Sequence, residues 1–175
     1  MKIRKLKIEN SKKGFSIFIA VIVTGVLLII SFSVSNLSKS EVFFATTNRD
    51  SQYALFAADA GVECALYWDS KVEPSAFATS SASTISCSSS SMSGGQAIAG
   101  TTTLSRIGGG GNGNPMSVFG FSLNSAQNPV TSCVIVTVNK FYTGSNLTTH
   151  IFSRGYNNCT IGDTRRVERG IEVRY

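Results

Sequence analysis

Residues 15–34 read FSIFIAVIVTGVLLIISFSV, a run without a charge, and the next charged residue is Lys39. Twenty residues rising about 1.5 Å each span about 30 Å, the hydrocarbon thickness of a bilayer, so a membrane-crossing helix is predicted there. Beyond it the pattern changes. Tyr53, Phe56, Ala57, Ala60, Cys64 and Tyr67 recur at spacings of three and four, within one arc of about 100°, which predicts an amphipathic helical continuation over 35–69 that packs against a sheet. Ala54, Ala57, Ala58, Ala60 and Gly61 are small enough to allow close approach. No proline falls between Phe15 and Glu73, so nothing predicts a kink, and one helix over 15–68 would be about 80 Å long.

The second half of the chain changes period. Residues 70–96 have loop composition, with nine serines in the fifteen residues from 79 to 93, a stretch that buries little. Residues 107–115, a glycine run ending in Asn-Pro, mark a turn. They lack the Gly-Lys-Ser/Thr ending of a phosphate loop. Candidate strands occupy 97–106, 116–123, 130–142, 147–156 and 165–175. The last alternates: Val167, Ile171, Val173 and Tyr175 on one side, Arg166, Glu168, Glu172 and Arg174 on the other. Short links between these strands favour an antiparallel meander. The predicted fold class is α+β, a long N-terminal helix packed on a small antiparallel β-sheet head over 97–175.

Charge is placed unevenly. Of the net +6, residues 1–14 contribute +5, from six basic side chains and Glu9. The remaining ten basic and nine acidic side chains almost cancel, so a nucleic-acid-binding head is not predicted. The basic leader should stay on the cytoplasmic side, with the C-terminal part exported. Cys64, Cys87, Cys133 and Cys159 are scattered, without the close spacing of a zinc site. An even number of such cysteines behind an export-type N-terminus reads as a disulfide framework in an oxidising compartment. Of the three possible pairings, Cys64–Cys87 with Cys133–Cys159 would each tie one local unit.

Three readings compete for the N-terminus: a signal peptide cut after its apolar core, a permanent single-span anchor, and a precursor cut before the core. A signal peptide would show a small-x-small site followed by a break in composition. Ser33-Val34-Ser35 is a weak match, and the helical pattern continues past it. Before the run stands Lys12-Lys13-Gly14-Phe15-Ser16, a glycine between a basic leader and a large apolar residue. This resembles the processing site of type IV prepilins. The resemblance implies cleavage between Gly14 and Phe15 by a prepilin peptidase, N-methylation of the new terminus, and a mature chain that keeps its apolar helix. Glu41, Asn48-Arg49-Asp50, Gln52 and Ala57-Ala58-Asp59-Ala60-Gly61-Val62-Glu63 are similar to the segment that follows the apolar stretch in PilX-type minor pilins, so the likeness covers about residues 12–68.

The resemblance implies a pilin-like architecture and a structural role in a cell-surface filament serving adhesion, motility, DNA uptake or secretion. The subunit would sit in the cytoplasmic membrane as a single-pass protein before assembly. Residues 1–14 would then be a cleaved leader, and 15–34 a membrane and filament-core helix. Phe15, Ile17, Ile19, Val23, Leu27 and Ile30 would contact lipid first and other pilin subunits afterwards. One departure is informative. Major pilins carry glutamate at the fifth mature position, which here is Ile19. A mid-membrane acid costs about 2.5–3.5 kcal/mol and persists only with a partner. Its absence fits a minor subunit added early in assembly.

No active site is expected, and no cofactor or metal. His150 is the single histidine and falls within a candidate strand, no nucleophile elbow surrounds any serine, and Asp59 and Glu63, four apart on one helical face, read as a solvated or salt-bridged pair. The alternating run Arg165-Arg166-Val167-Glu168-Arg169 reads as a paired strand face. The alternative function is a single-span anchored binding module that never polymerises.

Overall fold

The computed structural model describes residues 13–78, 84–108, 116–125 and 128–175. One helix, α1 (Lys13–Ser70), precedes six strands: β1 (Ile85–Cys87), β2 (Ser90–Met92), β3 (Met116–Ser125), β4 (Asn128–Thr143), β5 (Asn146–Tyr156) and β6 (Glu168–Arg174). The chain divides into two compact units, Met1–Thr46 and Thr47–Tyr175. In the first, the described residues are helical throughout. The second holds the C-terminal part of α1 and all six strands.

Within the second unit, β3-β4-β5-β6 form an antiparallel meander in sequence order. It is the α+β arrangement predicted from the change of period. The Thr143–Asn146 turn, with Gly144 at φ 68°, sets the β4–β5 register. Val134, Val136 and Val138 of β4 face α1 together with Phe119 and Phe121 of β3 and Ile151 of β5. Cys133 and Ile135 point to the opposite face, where Ile98 and Tyr156 cover them. β4 is therefore buried on both sides, and its Cys-Val-Ile-Val run is continuous rather than alternating for that reason. Each fully buried Phe, Val or Ile contributes about 2 kcal/mol.

The helix meets the sheet through small residues. Ala54, Ala57, Ala58, Gly61, Val62 and Ala65 are buried, whereas Phe56 and Tyr67 are 67% and 56% exposed. This corrects the predicted stripe, which lies one residue, or about 100°, away from the packed face. The cause sits on β5. A Cβ at Gly155 would overlap the Ala54 carbonyl and the Ala58 amide, and a Cβ at Gly61 would overlap Ser153, Val134 and Val136. Backbones this close leave no space for aromatic rings between them, so the rings are displaced to the flanks. Ser153 Oγ donates to the Ala58 carbonyl at 2.7 Å, satisfying a buried hydroxyl in the contact.

Two further expectations change. The segment predicted as a strand over 97–106 is an irregular excursion with two isolated bridges, Ala97–Leu104 and Arg106–Val118. Its backbone closes on itself, with Gly95 N and Ser105 N donating to Ser105 O and Gln96 O, and Gly95 and Gly100 adopt φ 84° and 81°. The serine-rich stretch, predicted as loop, holds the small β1–β2 hairpin, turned by Ser88 and Ser89 at positive φ. Ile85, Cys87 and Met92 are its buried positions. Residues 79–83 of that stretch and 109–115 of the glycine run lie outside the described residues.

Candidate functional site

In the first unit, the large apolar side chains singled out from sequence are all open. Phe15, Ile17, Ile19, Val23, Leu27 and Ile30 are each 46% or more exposed, and α1 contains a segment long and apolar enough to cross a membrane. Three hydroxyls in this segment turn inward. Thr24 donates to Ala20 O and Val21 O, Ser31 to Leu27 O, and Ser33 to Ile29 O, at 2.8–3.0 Å. With their donors satisfied inside the helix, these residues cost little in an apolar medium. At the N-terminal end, Lys13, Gly14 and Phe15 fall in the first turn of α1. Lys12 and the rest of the basic leader lie outside the described residues.

In the second unit, the cysteines pair as Cys64–Cys87 and Cys133–Cys159, with Cα–Cα distances of 6.0 and 5.3 Å. The first ties the β1–β2 hairpin to α1. The second ties β4 to the loop after β5. That loop is held by its own polar groups. Asn157 Nδ2 donates to Arg165 O, Val167 N donates to Asn157 Oδ1, and Asn158 Nδ2 donates to Asp163 Oδ2. The Arg165 amide and then Asn158 hold the Asp163 carboxyl below its ordinary range. Arg166 stacks on Tyr156 at 3.8 Å and donates to Gly100 O, joining this loop to the irregular segment before β3. The predicted Arg165–Arg169 strand face is thus half loop, because β6 begins at Glu168.

The most concentrated electrostatics surround Asp69, in the last turn of α1. Lys140 Nζ of β4 lies 2.5 Å from Asp69 Oδ1, and the two side chains are 10% and 3% exposed. Ser75 Oγ donates to the same oxygen, while Thr149 Oγ1 of β5 and Tyr175 Oη donate to Oδ2 at 3.2 and 2.6 Å. Burial alone would raise the Asp69 carboxyl. Hydrogen bonds from Lys140, Ser75 and Tyr175 and the ammonium charge outweigh it and hold the carboxyl below its usual value. Burial and the Asp69 charge push the Tyr175 phenol up. Each of these side chains finds a partner within the cluster, so the cluster clamps the helix end to the sheet. Sequence reasoning did not single it out. One signal was available: an acidic residue in a last helical turn with no basic residue in that turn opposes the helix dipole and calls for a partner elsewhere.

His150 Nε2 sits 2.9 Å from Glu172 Oε1, at ion-pair distance but off the hydrogen-bond axis. Arg174 pairs with the same glutamate and holds its carboxyl below the ordinary range. Asp59 and Glu63 are exposed. Among the described residues, no three His, Cys, Asp or Glu side chains group as metal ligands. A cavity of about 220 Å³ is bordered by Arg49, Asp50, Tyr53 and the Asn157–Arg165 loop, and a more open groove of about 450 Å³ runs along the Cys64–Cys87 bridge beside Trp68 and Phe121. Comparison of the chain with family models, curated proteins and solved structures gives no match.

Proposed function

We propose that this chain is a minor type IV pilin or pseudopilin, a structural subunit of a cell-surface filament, cut between Gly14 and Phe15 by a prepilin peptidase. The observation that carries the reading is the order Lys-Lys-Gly-Phe followed by an uncharged helix whose large apolar side chains are all exposed. A signal peptide is discarded and has no reason to continue into a packed helix. Here α1 goes on to Ser70 and supplies the face on which the sheet packs. The chemistry of the subunit is limited to being processed. Its apolar segment would lie in lipid before assembly and against the equivalent segments of other subunits afterwards, and the disulfide-braced sheet would be exported. Glutamate is absent at residue 19, so no charge there requires a preceding subunit's amine, consistent with a place at the start of assembly.

Gly14→Leu tests this in cells that carry the assembly machinery. A bulky side chain at the scissile position is expected to leave full-length precursor in the membrane and to remove the subunit from sheared filaments. Normal processing and incorporation of the variant would count against the proposal.

A further inference from the structure

The two edges of the four-stranded sheet differ. On β3, Arg106 and Val118 exchange both main-chain hydrogen bonds, at 2.6 and 2.7 Å, so part of that edge is capped. On β6, pairing among the described residues is to β5 alone. The Thr149–Tyr175 pair exchanges both of its bonds, so odd-numbered residues of β6 direct their N–H and C=O groups to β5. Glu168, Gly170, Glu172 and Arg174 direct theirs outward, and all four are exposed. An open edge of seven residues is a template for another strand. Proteins commonly blunt such edges with proline, bulges or like charge, and β6 has no proline and no register shift against β5. Its charges are of both signs.

We infer that β6 is a self-complementary edge that pairs antiparallel with β6 of a second copy of this chain, about a twofold axis at Ile171. Only even-numbered residues can form the hydrogen-bonded pairs of that junction, which restricts the register. Centred on Ile171, Glu168 of each copy opposes Arg174 of the other, and Glu172 opposes Gly170, where no side chain competes for space. Slipping the second strand by two residues sets Glu172 against Glu172 in one direction and Glu168 against Glu172 in the other. Both of these slips therefore place like charges opposite one another, and a slip of four, which sets Glu172 against Arg174, keeps only half of the main-chain pairs, so the register centred on Ile171 is selected. About eight main-chain hydrogen bonds would form across the junction. Ile171 and Val173, half-buried against the core, continue the apolar face across it. The packed part of α1 lies over β4 and β5, the latter being the direct neighbour of β6, and reaches β6 through the side chain of Arg169, whose Nε donates to Ser51 Oγ; among the described residues no main-chain hydrogen bond joins α1 to β6. The inference does not depend on cleavage at Gly14.

The test uses the full chain in detergent. Sedimentation velocity is expected to show a reversible dimer. Glu168→Arg alone and Arg174→Glu alone each set like charges opposite one another twice per dimer and are expected to weaken it about tenfold. The double charge swap is expected to restore it, and that recovery separates a lost contact from a misfolded variant. Ile171→Cys should cross-link to itself on oxidation, because residues facing across the axis lie about 4.5 Å apart. Tyr142→Cys, more exposed than residue 171 but remote from β6, should not. A monomer at all concentrations would overturn the inference. So would a dimer indifferent to Glu168→Arg, as expected if the apolar part of α1 drove association, and so would equal cross-linking at residues 142 and 171.

Discussion

At the scale of single residues, Asp69 and Tyr175 give the fold a definite pH signature. The Asp69 carboxyl is held below its ordinary value, so its contribution to stability is complete above the unfolded value near 3.9 and is lost as pH falls through the lower folded value. The Tyr175 phenol is raised, so its contribution is complete below about 10 and is lost as pH rises further. The expected result is a plateau of stability between about pH 4 and pH 10 in urea denaturation. Tyr175→Phe should remove the alkaline decline attributable to this phenol. Asp69→Ala leaves the Lys140 ammonium buried without its carboxylate and should cost about 3 kcal/mol at neutral pH. A variant within about 0.5 kcal/mol of the parent would show that the pair is solvated rather than clamped.

At the scale of elements, the helix–sheet contact is the one most sensitive to small changes. Gly155→Val inserts side-chain atoms where the backbone of α1 already lies. The helix must lift off the sheet, and a loss of about 3 kcal/mol is expected by denaturant titration; retention of parental stability would mean that the contact is looser than described. Much of this architecture was legible in sequence. The apolar run and the unbroken pattern after it gave α1, and the valine-rich run with its Thr-Gly-Ser-Asn link gave β4 and β5. The cysteine spacing favoured the pairing that is observed. The packed face of α1 was not legible, because aromatic residues dominate any periodicity argument, while here the contact is made by Ala and Gly against Gly155 and Ser153. Nor was the β1–β2 hairpin, where three buried side chains act within a serine-rich background. The irregular 97–106 segment resembled a strand, but its polar groups bond locally. The Asp69 clamp depends on contacts between residues up to 106 positions apart, which no local pattern encodes.

At the scale of the whole molecule, the two units have opposite surface chemistry. The first carries large apolar side chains that are exposed along the uncharged segment of α1. The second encloses a disulfide-braced apolar core, and its surface mixes charges of both signs with scattered apolar side chains such as Phe56 and Tyr142. Such a chain needs two environments, an apolar one for the helix and an aqueous one for the sheet unit. Under the proposed function, lipid and then neighbouring subunits supply the first. That account requires the apolar segment to survive maturation, and mass determination of the N-terminus of the protein recovered from cells tests it most directly. The account predicts a chain beginning at Phe15, carrying a methyl group on its amine. A chain beginning at Met1, or one beginning after residue 33 with the apolar segment lost, would contradict it.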